Sequence, residues 1–349
     1  MENDIAGCES PFPELSFTKP ANFFDINQCF VSKTILLLCS LFVMDNHDWQ
    51  LIYCRQMIPA RNLSIMPLEV IRMTRNEVNP LADFLAVEEP LEIRLAFNQR
   101  EERVIRNISV TMRTPGNDTE LALGFLFTEG IIRAASDIRS VELRGFACAE
   151  NKENTIQVNL QESITPNISQ ADRNFYTTSS CGVCGKGSIA AIRTVSVFEP
   201  SAEDEYVCWS LDTLMELPSR LRRQQEIFQE TGGLHACALF DDSGELILLK
   251  EDVGRHNALD KLIGTALQMN LLPLKRYGLL LSGRASFELI QKAAMGGVTI
   301  VAAIGAPSSL AVTLAEEFNI TLIGFLKNDR FNIYTHQKRI NFSIYENQD

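Results

Sequence analysis

The chain has 349 residues, 46% of them apolar and 22% charged, which is the mixture of a folded globular protein and not of a disordered one. Its 32 basic and 44 acidic residues leave a net charge of −12, which argues against a protein that coats nucleic acid through phosphate contacts. The longest apolar run, ILLLCSLFVM at 35–44, is well short of the roughly 18 residues a membrane-spanning helix needs.

Residues 1–75 carry isolated aromatics, prolines and that one apolar run, with no sustained period of two or 3.6. The residues before the run are acidic (Glu2, Asp4, Glu9, Glu14 and Asp25 against Lys19 and Lys33), unlike the short basic start of a signal peptide. The expected compartment is therefore the cytoplasm, and the nine cysteines are expected to be mostly reduced thiols. The segment reads as an atypical extension, with a start at Met66 or Met73 and a gene-model artefact upstream as one account of it.

Residues 76–165 read as a small α+β unit. PLEIRLAFN (90–98) and RVIRNISVTMR (103–113) alternate apolar and polar residues like half-exposed strands. A helix follows, with Asn117 or Asp118 as its cap, an apolar side of Leu121, Leu123, Phe125, Leu126 and Phe127, and Gly130 as its stop. SVELRGF (140–146) and NTIQVNL (154–160) read as two more strands.

Residues 166–190 are rich in Asn, Thr, Ser and Gly and read as a mobile loop holding SCGVCGKGS. Residues 191–349 form the second unit. A helical stretch near 211–230 ends at Gly232 and Gly233, and HACALF with ELILLK flanks DDSG as a hairpin. Strands at 277–282, 299–305 and 320–326 then alternate with three amphipathic helices. The pattern predicts a largely parallel sheet covered on both faces, with ligands bound at the carboxyl ends of its strands.

Cys181 and Cys184 form a CxxC, which supports three chemistries. Two thiolates can be half of a zinc site, with His235 and Cys237 as the other half. They can be a redox pair, although no helix clearly starts after them. Or one thiolate can carry sulfur on a loop made mobile by Gly182, Gly185 and Gly187, with Lys186 favouring ionisation. The spacing alone does not choose.

Four polar loops end successive strands. Glu251–Asn257 brings Arg255 and His256 to a helix start, where free N–H groups favour anions. There, Glu251 and Asp252 are alternative holders of the His256 tautomer. Ser282, Gly283 and Arg284 repeat the arrangement, Gly305–Ser309 repeats it without a cation, and Phe325–Arg330 adds two cations. Together they suggest a site for a large phosphorylated ligand. No dinucleotide or Walker-type glycine pattern stands in the right context. The HxE and PCxxC pair of a zinc deaminase is also missing.

The ordered set EEPLEIRL, ALGFLFTEGII, SCGVCGKGS, TGGLHACALF, EDVGRHNALDKLIG, LSGRASFELIQKAA and GFLKNDR…YTH resembles the FdhD family over about residues 84–336. These are the accessory sulfurtransferases of formate dehydrogenase. The resemblance implies an α/β fold, with a cytidine-deaminase-like three-layer α/β/α C-terminal domain and a smaller α+β N-terminal domain. It implies a cytoplasmic homodimer that takes sulfur from a cysteine desulfurase as a persulfide. The sulfur goes to Mo-bis(molybdopterin guanine dinucleotide), a bound substrate destined for the formate dehydrogenase catalytic subunit. No catalytic metal, nucleic acid or membrane is expected. Cys181 would hold the persulfide with Cys184 as its partner. Phe325, Leu326, Lys327, Asn328, Asp329 and Arg330 match the segment that binds the guanine dinucleotide. Asn328 and Asp329 replace the Pro-Gly or similar turn common there, and both residues still favour a tight turn. Arg255, His256, Ser282 and Arg284 complete the expected rim. The competing reading is a zinc-stapled cofactor-binding chaperone without sulfur transfer.

Overall fold

The computed structural model describes residues 64–100, 102–143, 154–168, 198 and 207–341. It begins with a ribbon absent from the sequence reading. β1 (Ile65–Met73) pairs antiparallel with β2 (Val78–Ala86), so regular structure crosses the boundary expected at 75. Thr74 closes the turn, its hydroxyl accepting the Glu77 N–H at 3.0 Å. Neither face of the ribbon is buried. Ile71 and Met73 are 70% and 73% exposed, so no alternation of burial marks the strands.

β3 (Glu89–Gln99) and β4 (Glu102–Arg113) fall where their alternation places them. With β5 (Ile138–Leu143) and β6 (Thr155–Leu160) they make a sheet of order β4-β3-β6-β5. Helix α1 (Asp118–Thr128) packs on it. Its cap position falls on one of the two residues expected, without the side-chain bond. Asn117 occupies the cap position at φ 58 with no side-chain cap bond, and Asp118 is held by Arg113 through Nε–Oδ1 and Nη2–Oδ2 contacts of 2.9 and 3.0 Å. Gly130, at φ 71, ends the helix as read.

The second sheet has six strands in the order β13-β12-β11-β10-β8-β9. These are β8 (His235–Phe240), β9 (Leu246–Asp252), β10 (Gly278–Leu281), β11 (Ile300–Ala303), β12 (Thr321–Gly324) and β13 (Asn332–Thr335). The sheet is mixed where a largely parallel one was expected. β10, β11 and β12 are parallel, whereas β8 and β13 run against their neighbours. The apolar runs are continuous because both faces are covered, which does not itself fix strand direction. On one face lie α4 (Arg255–Gln268), α5 (Phe287–Met295) and α6 (Ser309–Glu317), meeting Leu239, Leu279, Val301 and Leu322. On the other lie β7 (Trp209–Ser210), β14 (Ile340–Asn341) and α2 (Leu211–Gln224), whose Leu214, Leu217 and Leu221 meet Ala238, Phe240 and Leu280. This is a three-layer α/β/α arrangement. The short α3 (Glu226–Thr231) leads from α2 to β8 and packs on β2.

The two expected units share one core, in which Leu91, Ile93, Leu123 and Phe127 are continuous with Leu259, Ile263 and Leu281. The weld is the α1–α4 crossing. A Cβ on Gly124 would stand 1.9 Å from the Asp260 carbonyl oxygen, and one on Gly264 would stand 1.9 Å from that of Glu120. Only hydrogen at both positions lets the backbones touch. Beside this crossing Lys292 of α5 forms a buried pair with Asp260 at 2.9 Å and donates to Thr128 of α1.

Candidate functional site

The sheet topology brings the polar loops to one edge. β9, β10, β11 and β12 all end there, and the antiparallel β8 begins there, with His235 opposite Asp252. The loops are laced together by their backbones. Ile304 N–H donates to the Leu281 carbonyl, Gly305 N–H to that of Gly283 at 2.9 Å, and Phe325 N–H to that of Gly305 at 3.0 Å. A rim tied in this way loses little entropy when a ligand docks on it.

Arg255 and His256 are the first two residues of α4, which starts two residues earlier than Asn257. Asp252, fully buried, organises the turn before them. One carboxylate oxygen accepts from Gly254 N–H at 2.8 Å and from Asn257 Nδ2 at 3.1 Å. The other accepts from Lys261 Nζ at 2.7 Å and from Thr114 N–H at 3.2 Å. Glu251 instead accepts the N–H groups of Ile227 and Phe228 at 3.2 and 3.1 Å, capping α3. Neither carboxylate holds His256, contrary to the sequence alternative. The acid nearest its Nε2 is Glu288 of α5, at 3.9 Å. Burial, with Lys292 and Arg255 nearby, pulls His256 down to about 4. Burial, with Arg255, also lowers His235. Both imidazoles therefore favour the neutral form near pH 7, and the buried Nε2 of His256 has no hydrogen-bond partner among the described residues, while positive charge comes from the arginines and Lys327.

Ser282 has a structural duty. Its Oγ accepts the Ala236 N–H at 2.8 Å, which leaves its own hydrogen to be donated. Arg284 is exposed and lies over Gly305, where a Cβ would come within 3.0 Å of the arginine backbone. Phe325 adopts φ 52 with its ring 43% exposed, a strained backbone presenting an aromatic face to solvent. Leu326 turns the other way, fully buried in the core with Ile323 and Ile340, so only its backbone borders the rim. Lys327 N–H donates to the Arg330 carbonyl at 2.9 Å, closing the turn across Asn328 and Asp329. Asn328 is anchored to Ser219 of α2, and Arg330 lies 3.7 Å from Asp329, both of them largely exposed.

A cavity of about 370 Å³ opens beside His235 and Ser282 on the α2 face. Arg222, Gln225, Phe228, Gly232, Gly233 and Ile304 line it, and the Arg222 guanidinium sits 5.2 Å from the centre of the Phe228 ring. Sequence reasoning missed this wall, because α2 and α3 carry no motif. The available signal was the Gly232-Gly233 pair, read as a helix stop and as part of the TGGLHACALF motif but given no role in the site.

Cys181 and Cys184 lie outside the described residues. The proposed zinc partner Cys237 is buried at 2% exposure, and burial with Asp260 and Asp252 pushes its thiol up, away from the thiolate a metal requires. Among the described residues no three His, Cys, Asp or Glu side chains gather as a metal site.

The sequence matches the FdhD/NarQ family over residues 86–341. Its relatives include the sulfur carrier protein FdhD of Mycolicibacterium paratuberculosis, 49% identical over 78% of this chain and 97% of the relative. The protein of that name from Streptomyces coelicolor is 46% identical over 78% and 94%. That of Sulfurisphaera tokodaii is 42% identical over 76% and 95%. A crystal structure from Desulfotalea psychrophila, provisionally described as a formate dehydrogenase accessory protein, superposes with a TM-score of 0.57 over 79% of this chain and 99% of that one. At 23% identity it speaks to the fold alone.

Proposed function

This chain belongs to the FdhD/NarQ family, and from that premise we propose that it is a sulfur carrier acting as a sulfurtransferase toward the molybdenum cofactor. Sulfur arrives from a cysteine desulfurase as a persulfide on Cys181, with Cys184 as the partner thiol. It passes to bis(molybdopterin guanine dinucleotide), held as substrate before delivery to the formate dehydrogenase catalytic subunit. The reading places the protein in the cytoplasm as a homodimer, and the exposed apolar side chains of β1 and β2 offer surface that a second copy would cover.

The observation that carries the proposal is the convergence of Arg255, His256, Ser282, Arg284 and Phe325–Arg330 on one sheet edge. That edge suits a polyanion with planar ends. Arg255 and the free N–H groups of the α4 start would take phosphate oxygens, and Arg284, Lys327 and Arg330 would add exposed positive charge. The Phe325 ring and the Arg222–Phe228 wall would take flat groups. The two neutral imidazoles would donate or accept without competing for protons.

The test is intact and peptide mass spectrometry after incubation with a cysteine desulfurase and cysteine. The expected result is a gain of about 32 Da per sulfur on the peptide holding Cys181, reversed by reductant and lost in Cys181→Ala. Absence of added sulfur, with both thiols blocked by stoichiometric zinc, would instead establish the zinc-stapled chaperone.

A further inference from the structure

The end of β4 and the residue after it, Thr114, contribute nothing to the rim by side-chain chemistry, yet they grip the turn that carries Arg255 and His256. Thr111 Oγ1 donates to Asn257 Oδ1 at 3.1 Å, and Asn257 Nδ2 donates to the Met112 carbonyl at 2.7 Å. Val253 N–H donates to Thr114 Oγ1 at 3.2 Å, and Lys261 Nζ donates to the Thr114 carbonyl at 2.8 Å. Asp252 receives Thr114 N–H from the same segment. The bonds fall on Asp252, Val253, Asn257 and Lys261, on either side of Arg255 and His256, and none falls on those two side chains themselves. Gly254 lies close under this net: a Cβ there would stand 3.1 Å from Asn257 Nδ2, so the amide would have to give by a few tenths of an ångström.

Local stability explains part of the net but not its layout. The first turn of a helix frays readily, since its leading N–H groups have no partner within the helix. Here the turn that frays most easily in an ordinary helix is tied to a second sheet 146 residues away in sequence. We propose that Thr111 and Asn257 are positioning residues, which set Arg255 and His256 in the geometry that binds the polyanionic substrate. The small sheet is thereby part of the binding site without touching the ligand. The proposal rests on the reading of the sheet edge as a polyanion site.

The test uses the full chain and GDP as the probe, with Kd measured by titration calorimetry. Thr111→Val keeps the shape and the half-buried packing but removes the donor, and Thr111→Ser restores it. Thr111→Val is expected to weaken GDP binding roughly two- to tenfold, the worth of one hydrogen bond, and Thr111→Ser to match wild type. The His256 ring-proton resonance should move in Thr111→Val and return in Thr111→Ser. Arg255→Ala, which removes a ligand contact, should weaken binding as well. If Thr111→Val binds GDP as wild type does while Arg255→Ala is impaired, positioning by β4 is wrong and the polyanion site stands. If Arg255→Ala also binds as wild type does, the site itself is wrong and the inference falls with it. Should Thr111→Val lose its circular dichroism signal, Thr111→Ala gives the same comparison.

Discussion

His256 makes the described site pH-sensitive in a direction that can be calculated. Its ordinary value of 6.5 falls to about 4 in the folded chain. Burial is the largest cause, Lys292, Arg255 and His235 add to it, and Glu288 opposes it. The folded pKa lies below the unfolded one. Between about pH 6.5 and 4 the unfolded chain therefore takes up a proton that the folded chain refuses. The stability is complete above that window and is lost as pH falls through it. A gap of 2.5 units at about 1.4 kcal/mol each gives a loss of roughly 3 kcal/mol by pH 4. The assay is urea denaturation at several pH values for wild type and for His256→Gln. Other groups are perturbed as well: burial raises Glu251 and Asp260 and lowers His235, so the wild-type profile alone assigns nothing. The difference between the two profiles isolates His256. It should open by about 1.4 kcal/mol per pH unit below 6.5. Parallel profiles from pH 8 to pH 4.5 would refute the reasoning and mean that His256 is solvated or paired in the folded chain.

Gly124→Ala should destabilise the protein by more than about 3 kcal/mol, well beyond ordinary overpacking, since the new methyl meets an immovable backbone oxygen at 1.9 Å. Urea midpoints measure this, and a loss under about 1 kcal/mol would show that α1 and α4 can separate cheaply. Phe325→Gly should leave stability unchanged or raise it by about 1 kcal/mol, because the left-handed backbone strain at φ 52 is relieved. The same variant should bind GDP more weakly. A clear loss of stability would mean that the ring serves packing and not the ligand.

The sheet edge was legible in the sequence because it needs only two local facts. Apolar runs such as TIVAAIG announce buried strands, and polar turns after them must collect at the carboxyl end. Leu326 entered the expected site only as part of the segment that the family resemblance marks, and its apolar side chain obeys burial first. β1 and β2 were illegible for the opposite reason: α3 packs on β2, but no side chain of either strand is fully buried, so little alternation is selected. Asp252 read as a charge near His256. Its real partners include Thr114, which lies 138 residues upstream, and nothing local in EDVGRHN reports a bond of that range. Gly124 and Gly264 carry no reading of their own in the sequence, yet they mark a backbone contact between the two halves of the core.

These misses share a cause that bears on the site. Whatever is local in sequence here concerns which groups meet the ligand, and whatever is long-range concerns how those groups are held. That division explains how a net charge of −12 is compatible with the proposed polyanion site. Beyond roughly 8 Å salt screens exposed charges, so the global excess of carboxylates matters little at the rim. Local geometry decides the matter. Arg284, Lys327 and Arg330 stand exposed and contribute modestly, as solvated cations do. Arg255 and the α4 N–H groups are only partly exposed, so each is worth more, provided the turn keeps its shape. The buried carboxylate of Asp252, neutralised by Lys261 and saturated by four donors, supplies that shape without lending negative charge to the rim. An acidic residue at the centre of the proposed anion site is thus a consequence of how the turn is built, and removing its charge should weaken anion binding and not strengthen it.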